Sequence, residues 1–311
     1  MWIFKFGGAS VKDAAAVRNM VDILRRHVDK KIVVVVSAMG KTTNALESVI
    51  EHYASRRKDK MKEAVRELRD YHGKIVEELF GERDHEAHRS VDQLFGDLNR
   101  RLEKDPTLNY DFDYDQIIPY GELLSTTIIH HCLKNSGISS RWLDIRRSLK
   151  TDSNWREAQI DWELSARLVS EHFTFGDDNV LITQGFLASN INDQSTSLGR
   201  EGSDYTASIL AHILRAEGVT IWKDVPGVLN ADPKYFDDTI LLKKLSYLDA
   251  IELAYFGTSV IHPKTIKPLQ NRNISLYVKS FMDPDAPGTL VGNEAYDRLT
   301  PSFIFKMDQV L

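Results

Sequence analysis

The stretch KKIVVVVSAMG, Lys30 to Gly40, decides the fold class of this 311-residue chain. Ile32 to Val36 form an unbroken β-branched run, which is typical of a strand buried on both faces of a parallel sheet. A segment with apolar residues at helical spacing, Thr42 to Arg57, follows it. Residues 2–28 show the same order of strand, glycine turn and helix. Two successive β-α units predict an α/β protein.

The rest of the chain continues this alternation. Three further strands are predicted in NVLITQGF, VTIWKDVPG and ISLYVKSF, which begin at Asn179, Val219 and Ile274. Helices are predicted over Tyr205–Glu217 and Tyr247–Phe256, and another is expected to end at Gly137, a C-terminal glycine cap. Charged, helix-favouring sequence from Asp59 to Lys104 predicts surface helices that form a lid or an interface.

Composition excludes several classes of function. Charged residues make up 27% of the chain and the net charge is −5, so no basic field indicates a nucleic-acid or membrane partner. The single cysteine, Cys132, excludes an internal disulfide and favours a reducing, cytoplasmic location. The start MWIFK lacks the features of a signal peptide, and no apolar stretch approaches the roughly 20 residues of a membrane span.

Turns after the apolar strands are the candidate binding elements. They begin at Gly7, Ser37, Gly185 and Lys223. Because the carboxyl ends of parallel strands lie along one edge of a sheet, where ligands bind, these turns are expected to meet at one site. Gly7 and Gly8 permit close backbone approach to a phosphate, and Lys5 supplies a cation beside them. The common nucleotide motifs GxxxxGK[ST] and GxGxxG are absent, as are HExxH and GxSxG.

Histidines are interpreted as structural. His130 and His131 are adjacent and cannot share one helical face to bind zinc. His262, in VIHPKT, stands before a proline at an element boundary, where a structural role is more common than a catalytic one.

Seven ordered blocks then give a specific resemblance. They are KFGGASV (5–11), VVVVSAMGKTTNAL (33–46), PYGELLS (119–125), ITQGF (182–186), SLGREGSDYTA (197–207), DVPGVLNADP (224–233) and LSYLDAIELAYFGTSVIHPKT (245–265). Together the blocks resemble the catalytic domain of the aspartate kinases, in the amino acid kinase superfamily. The resemblance implies a three-layer α/β sandwich with a mainly parallel central sheet, as in the carbamate kinase-like fold.

The resemblance also implies an activity and a domain plan. Aspartate kinases use ATP with Mg²⁺ to phosphorylate the side-chain carboxylate of L-aspartate, the first step toward lysine, methionine and threonine. The expected catalytic domain is 1–300, with an amino-acid-binding lobe of about 1–195 and a nucleotide-binding lobe of about 196–300. Residues 301–311 would begin an ACT regulatory region that is truncated or absent here, and the family implies a homodimer when that region is present.

Residue roles follow from the matching blocks. The resemblance implies that Lys5 and Asp204 are catalytic. It assigns the substrate L-aspartate to Thr43, Glu122, Phe186, Arg200 and Ser203, with Arg200 on the α-carboxylate and Glu122 on the ammonium group. It assigns ATP to Lys5, Gly7, Gly8, Ser10, Lys223, Asp224, Leu229, Lys234 and Ser259.

Five positions depart from the usual family residues, and all are expected near the nucleotide. They are Glu201 for Gly, Lys223 for Thr, Leu229 for Tyr, Lys234 for Arg and Ser259 for Lys. We hypothesise that Lys223 supplies the charge missing at Ser259. A helix cap at Ser203 or Asp204 would place Glu201 just before the first turn with its side chain toward solvent.

Two other functions stay open at this point. One is phosphorylation of a different carboxylate, such as that of glutamate or acetylglutamate. The other is a non-catalytic, nucleotide-sensing role, which the residues Glu201 and Ser259 motivate.

Overall fold

The computed structural model describes residues 1–81, 84–231, 233, 236–256 and 260–293. Its strands are β1 (Trp2–Phe6), β2 (Ile32–Val36), β3 (Ser140–Leu143), β4 (Val180–Gln184), β5 (Leu187–Ser189), β6 (Ser195–Ser197), β7 (Gly218–Lys223), β8 (Lys244–Ser246), β9 (Ser275–Ser280) and β10 (Thr289–Gly292). Its helices are α1 (Ala14–Arg25), α2 (Thr42–Ala54), α3 (Lys58–Phe80), α4 (Glu86–Leu102), α5 (Tyr110–Ile117), α6 (Tyr120–Asn135), α7 (Trp162–His172), α8 (Gly202–Leu214), α9 (Tyr247–Phe256) and α10 (Pro263–Gln270).

The central sheet has the strand order β3-β4-β2-β1-β7-β9-β10-β8. All neighbours run parallel except β9 and β10, which pair antiparallel. A separate antiparallel hairpin joins β5 to β6. The prediction of an α/β protein with a mainly parallel sheet is confirmed. Strands from the first part of the chain occupy one half of the sheet, and strands after residue 217 occupy the other.

Alternation along the strands divides the core into two layers. Phe4, Phe6 and Val34 pack with residues of α1 to α6 on one face of the sheet. Ile3 and Val33 pack with residues of α7 to α10 on the opposite face. The fold is therefore a three-layer sandwich, as expected. Lys5 follows the same alternation, so its side chain leaves β1 on the face that carries α8.

The charged segment of residues 59–104 forms the two long helices α3 and α4, which confirms the helical prediction. Val65, Leu68, Ile75 and Val76 of α3 are buried and extend the first core layer. The Tyr71 hydroxyl donates to the carbonyl of Lys12, beyond the first glycine turn. Helix α3 thus packs against the elements around the strand ends, and its role as a lid or an interface stays a prediction.

Two local predictions about helix ends are confirmed. Gly137 follows the end of α6 with a φ of +74°, a left-handed conformation that glycine adopts without steric cost. The Nδ1 atom of His262 accepts a hydrogen bond from the backbone N–H of Lys264 at 3.2 Å and caps α10. Within the described ranges, no helix is both long and apolar enough to cross a membrane.

Candidate functional site

Two glycine turns meet at the carboxyl edge of the sheet. A Cβ atom on Gly8 would lie 2.8 Å from the carbonyl oxygen of Ala38, a distance that side chains do not tolerate. The backbone N–H of Gly40 donates to the carbonyl of Gly8 at 3.0 Å. Ser10 closes the first turn, because its hydroxyl donates to the Gly7 carbonyl at 2.6 Å. The turns after β1 and β2 therefore form one surface.

A buried carboxylate lies between two lysines beside this surface. The Nζ atom of Lys5 is 2.6 Å from Oδ1 of Asp204, and the Nζ atom of Lys223 is 3.4 Å from Oδ2. Burial by itself would raise the pKa of Asp204, but the two ammonium groups outweigh it and hold this pKa below its usual range. Asp204 is thus ionised at neutral pH, and the three side chains together carry one net positive charge.

The strand ends open into a cavity of about 640 Å³. Its lining contains Lys5 and all the residues expected to bind the amino acid: Thr43, Glu122, Phe186, Arg200 and Ser203. These residues come from the end of β1, the first turns of α2, α6 and α8, the turn after β4 and, for Arg200, the turn before α8. The structure therefore brings together side chains that are far apart in the sequence.

Glu122 supplies the buried acid of this cavity. Its side chain is 3% exposed, and the backbone N–H of Ala38 donates to Oε1 at 3.1 Å. Burial raises the pKa of Glu122 to about 8, although this hydrogen bond and the charge of Lys5 act in the opposite direction. Without a bound cation, Glu122 is therefore largely protonated at neutral pH.

The start of α8 differs from the expectation. The N-cap residue is Glu201, which has a φ of +53° and makes no capping bond with its side chain, so the expected cap at Ser203 or Asp204 is wrong. Both residues lie in the first turn, and Ser203 fills the space in front of Gly185, where a Cβ would lie 2.5 Å from the Cβ of Ser203. Ser203 thus lies against the end of β4, and Asp204 reaches Lys5 and Lys223 at the ends of β1 and β7. Glu201 lies just before the first turn, as expected, and lines the cavity, where it is partly exposed.

The cavity also contains residues that the sequence did not single out as candidates. They are Ser37, Asp111, Tyr114, Arg156, Glu157, Ser197, Gly199 and Gly202. Asp111 and Tyr114 lie on α5, and Arg156 lies in the turn before α7. Ser37 begins one of the candidate turns, and Ser197, Gly199 and Gly202 lie in a matching block, although none was given a role. No block or candidate turn includes the other four positions. The backbone signal at Arg156, a φ of +70°, is visible only in the structure.

The expected nucleotide residues are only partly assembled. Lys223 ends β7 and reaches Asp204, whereas Asp224 is exposed in the turn that follows. Leu229 pairs through its backbone with Leu241, away from the cavity lining. Lys234 and Ser259 lie outside the described residues, so the proposed exchange of charge between Lys223 and Ser259 stays a hypothesis.

The described residues do not form a metal centre of their own. In ranges 1–81, 84–231, 233, 236–256 and 260–293, no three His, Cys, Asp or Glu side chains come close enough to hold a metal ion.

The sheet, the two glycine turns and the lysine-flanked Asp204 define an α/β protein with a positively charged cluster at its strand ends. This chain belongs to the Amino acid kinase family, whose profile matches residues 1–280.

Alignments with named relatives cover almost the whole chain. The chain is 31% identical over 299 residues to a chloroplastic bifunctional aspartokinase/homoserine dehydrogenase 1 of Zea mays, covering 94% of this chain and 32% of that protein. It is 31% identical to lysine-sensitive aspartokinase 3 of Escherichia coli K12, covering 94% of this chain and 64% of that protein. The crystal structure of E. coli aspartokinase III with aspartate and ADP superposes with a TM-score of 0.88 at 30% identity, covering 96% of this chain and 65% of that one. The chain thus spans about a third of the plant relative and under two thirds of the bacterial one.

Proposed function

We propose that this chain transfers the γ-phosphoryl group of ATP to the β-carboxylate of L-aspartate, producing 4-phospho-L-aspartate and ADP. The observation that carries the proposal is the single cavity in which Lys5, Glu122 and Arg200 meet beside Asp204. The named relatives support it, because they are aspartokinases and the E. coli enzyme was crystallised with aspartate and ADP.

The amino-acid pocket matches the charges of L-aspartate. Arg200 is exposed at the cavity and pairs with no acid among the described residues, so its guanidinium is available to a carboxylate. Glu122 lies deep in the cavity and suits the ammonium group, which would favour its ionised form. Thr43, Phe186 and Ser203 complete the pocket around the substrate backbone. The β-carboxylate is then directed toward Lys5.

The phosphate side uses the turn after β1. In the proposal, Lys5 and the backbone of Gly7 and Gly8 bind the γ-phosphoryl group, with Ser10 holding the turn closed. Asp204 is a positioning acid, because it orients Lys5 with one oxygen and Lys223 with the other. The remaining nucleotide contacts are assigned to Asp224, Leu229, Lys234 and Ser259.

The chemistry requires no general base. A β-carboxylate is ionised at neutral pH, so its oxygen attacks the γ-phosphorus directly. A new P–O bond forms as the bond between the γ-phosphorus and the β–γ bridging oxygen breaks, and ADP leaves with the bonding electron pair. The protein contributes orientation and neutralisation of charge, which account for most of the catalysis of phosphoryl transfer. Mg²⁺ is assigned to the ATP phosphates, and it neutralises their charge when bound.

The wider role follows from the same proposal. The product is the first intermediate toward lysine, methionine and threonine, and a cytoplasmic location fits the single, buried Cys132. We propose two lobes that meet near residue 195, with the amino acid on the first and the nucleotide on the second. A homodimer is proposed for forms of the protein that carry a regulatory region.

An acceptor screen tests the proposal. The protein is supplied with MgATP and L-aspartate, L-glutamate or N-acetyl-L-glutamate, and acyl phosphate is trapped with hydroxylamine while ADP release is measured. We expect the hydroxamate and ADP to form together with L-aspartate at rates at least tenfold above those with the other acceptors. A preference for N-acetyl-L-glutamate, which has no ammonium group for Glu122, would contradict the proposal. Tight ATP binding without turnover for any acceptor would instead indicate a nucleotide sensor.

A further inference from the structure

A second guanidinium lies at the rim of the cavity. Arg156 lines the cavity together with Arg200, although the two residues are far apart in the sequence. The turns that carry them touch, because a Cβ atom on Gly199 would lie 3.2 Å from the carbonyl oxygen of Arg156 and 3.1 Å from Cγ of Glu157. Gly199 immediately precedes Arg200. Both arginines therefore project from one joined pair of turns.

A buried acid binds the backbone of both turns and fixes their relative position. Asp115 is fully buried, and its Oδ2 accepts from the backbone N–H of Arg156 at 2.8 Å and from that of Ser197 at 3.0 Å. Its Oδ1 accepts from the Ser197 hydroxyl at 2.6 Å. The bond to Arg156 fixes a backbone in the left-handed region, at a φ of +70°. Such conformations are costly for residues other than glycine and concentrate at ligand-binding positions.

The side chain of Arg156 is oriented but only weakly paired. Its guanidinium lies 4.5 Å from the centre of the Tyr114 ring, which limits the directions it can take. Its acidic partner is Asp111, at 3.3 Å, and both side chains of this pair are about half exposed, at 46% and 52%. An exposed pair of this kind contributes little stability and exchanges readily for a better ligand.

We propose that Arg156 is a second substrate-binding residue, which leaves Asp111 when the acceptor binds and shares the α-carboxylate of L-aspartate with Arg200. This inference rests on the proposed function. Apart from Glu122, which is reserved for the ammonium group, the cavity lining contains the acids Asp111, Glu157 and Glu201, against the cations Lys5, Arg156 and Arg200. Lys5 is already paired with Asp204. Without Arg156, Arg200 would therefore be the only cation in the lining left to balance these acids. A second guanidinium makes the rim attractive to a carboxylate.

Two substitutions separate substrate binding from a merely structural ion pair. Arg156→Gln should raise the KM for L-aspartate about tenfold, the loss of one charge-assisted contact, and leave the KM for ATP unchanged. Asp111→Asn removes the competing carboxylate and should lower the KM for L-aspartate. Arg156→Lys should restore part of the lost affinity. Arg147→Gln, an exposed arginine outside the cavity lining, is the matched control and should leave both KM values unchanged.

The inference predicts that Arg156→Gln and Asp111→Asn change the KM for L-aspartate in opposite directions. If Arg156 and Asp111 only support each other, both substitutions will change the KM for L-aspartate in the same direction, and the inference fails while the proposed function stands. A change of less than twofold in Arg156→Gln also overturns it. If the unaltered protein neither binds L-aspartate in calorimetry nor phosphorylates it, the proposed function fails, and the inference fails with it.

Discussion

The proposed amino-acid half and the proposed nucleotide half of the site are built in different ways. Glu122 and Ser203 lie in the first turns of long helices, next to strand ends, and are at most 8% exposed. Asp224, in contrast, is exposed in a loop that is anchored at separate points, such as the bond from the Val228 N–H to the Thr289 hydroxyl at 2.8 Å. The geometry of the amino-acid half therefore follows from the packing of the core. The described part of the proposed nucleotide half is held at a few such anchors.

The largest effect is expected where the two halves meet, at Lys5. Lys5→Met removes the cation that lies closest to Asp204, and we expect kcat to fall about 100-fold or more, since stabilisation of the developing charge usually contributes most to the rate of such reactions. A coupled assay of ADP release measures it. Lys267→Met, an exposed lysine on α10, is the control and should retain full turnover. If Lys5→Met keeps more than a tenth of the turnover, Lys5 does not have the proposed catalytic role.

The buried acid of the amino-acid half predicts a pH dependence. The pKa of Glu122 is raised to about 8 in the free protein, and a bound ammonium group requires the ionised form. The Kd for L-aspartate should therefore rise by up to about tenfold for each unit that the pH falls below 8, and level off above it. Calorimetry in buffers of different ionisation enthalpy should detect release of a proton on binding at pH 7.

Glu122→Gln is the control for this dependence, since it keeps the shape of the side chain without its titration. It should weaken binding at pH 8 and abolish the pH dependence between pH 6 and 8. In the free protein, the stability of the fold depends on pH in the opposite direction. Because the pKa of Glu122 is higher in the folded state than its unfolded value, near 4.3, its protonation stabilises the fold below that value. This stabilisation is lost as the pH rises through 8. A Kd that does not change between pH 6 and 8 would contradict the assignment of Glu122 to the ammonium group.

A smaller effect, confined to the nucleotide half, is expected for Lys223. Lys223→Met leaves Asp204 paired with Lys5 and removes the net positive charge of the cluster. The Kd for ATP should rise about tenfold, the value of one charge-assisted contact, while the Kd values for adenosine and L-aspartate stay the same. An equal loss of affinity for adenosine would show that the substitution disturbs the loop and not a phosphate contact.

The smallest effect is expected at the N-cap of α8. Glu201 has a φ of +53° and makes no capping bond, so Glu201→Gly relieves an unfavourable backbone conformation. The greater freedom of glycine in the unfolded chain offsets part of this gain, so we expect the free energy of unfolding to rise by no more than about 1 kcal/mol. Gly202→Ala should do the reverse, because its Cβ would lie 2.7 Å from the Phe186 ring. Urea denaturation compares the two, and destabilisation by Glu201→Gly would show that the Glu201 side chain has a stabilising role.

Apolar runs made much of the fold predictable. Strands β1, β2, β4, β7 and β9 were predicted because they are long and rich in β-branched or aromatic residues. The short strands β5, β6 and β8 have only three residues each and mostly small or polar side chains. Such segments become strands because a neighbouring strand offers backbone partners, and that information is not local. Residues 301–311, which were expected to begin a regulatory region, lie outside the described residues.

The candidate site was also predictable only in part. Lys5, Glu122 and Arg200 stand in blocks that resemble a known family, and the cavity contains all three. The start of α8 was misplaced because Ser203 and Asp204 are good capping residues by type, whereas the tight approach of Gly185 to Ser203 draws both into the first turn. Capping preference, worth about 1 kcal/mol, is a property of residue type, whereas the contact with Gly185 exists only in the folded chain.

By itself, the sequence determined which segments are buried strands, where the glycine turns follow them and which family the blocks resemble. Those properties depend on side-chain type and spacing over short stretches of chain. Only the tertiary structure decided that Asp204 lies between two lysines, that burial raises the pKa of Glu122 to about 8 and that Arg156 stands beside Arg200. The reason is physical: charge, desolvation and close packing depend on distances between elements that are remote in the sequence.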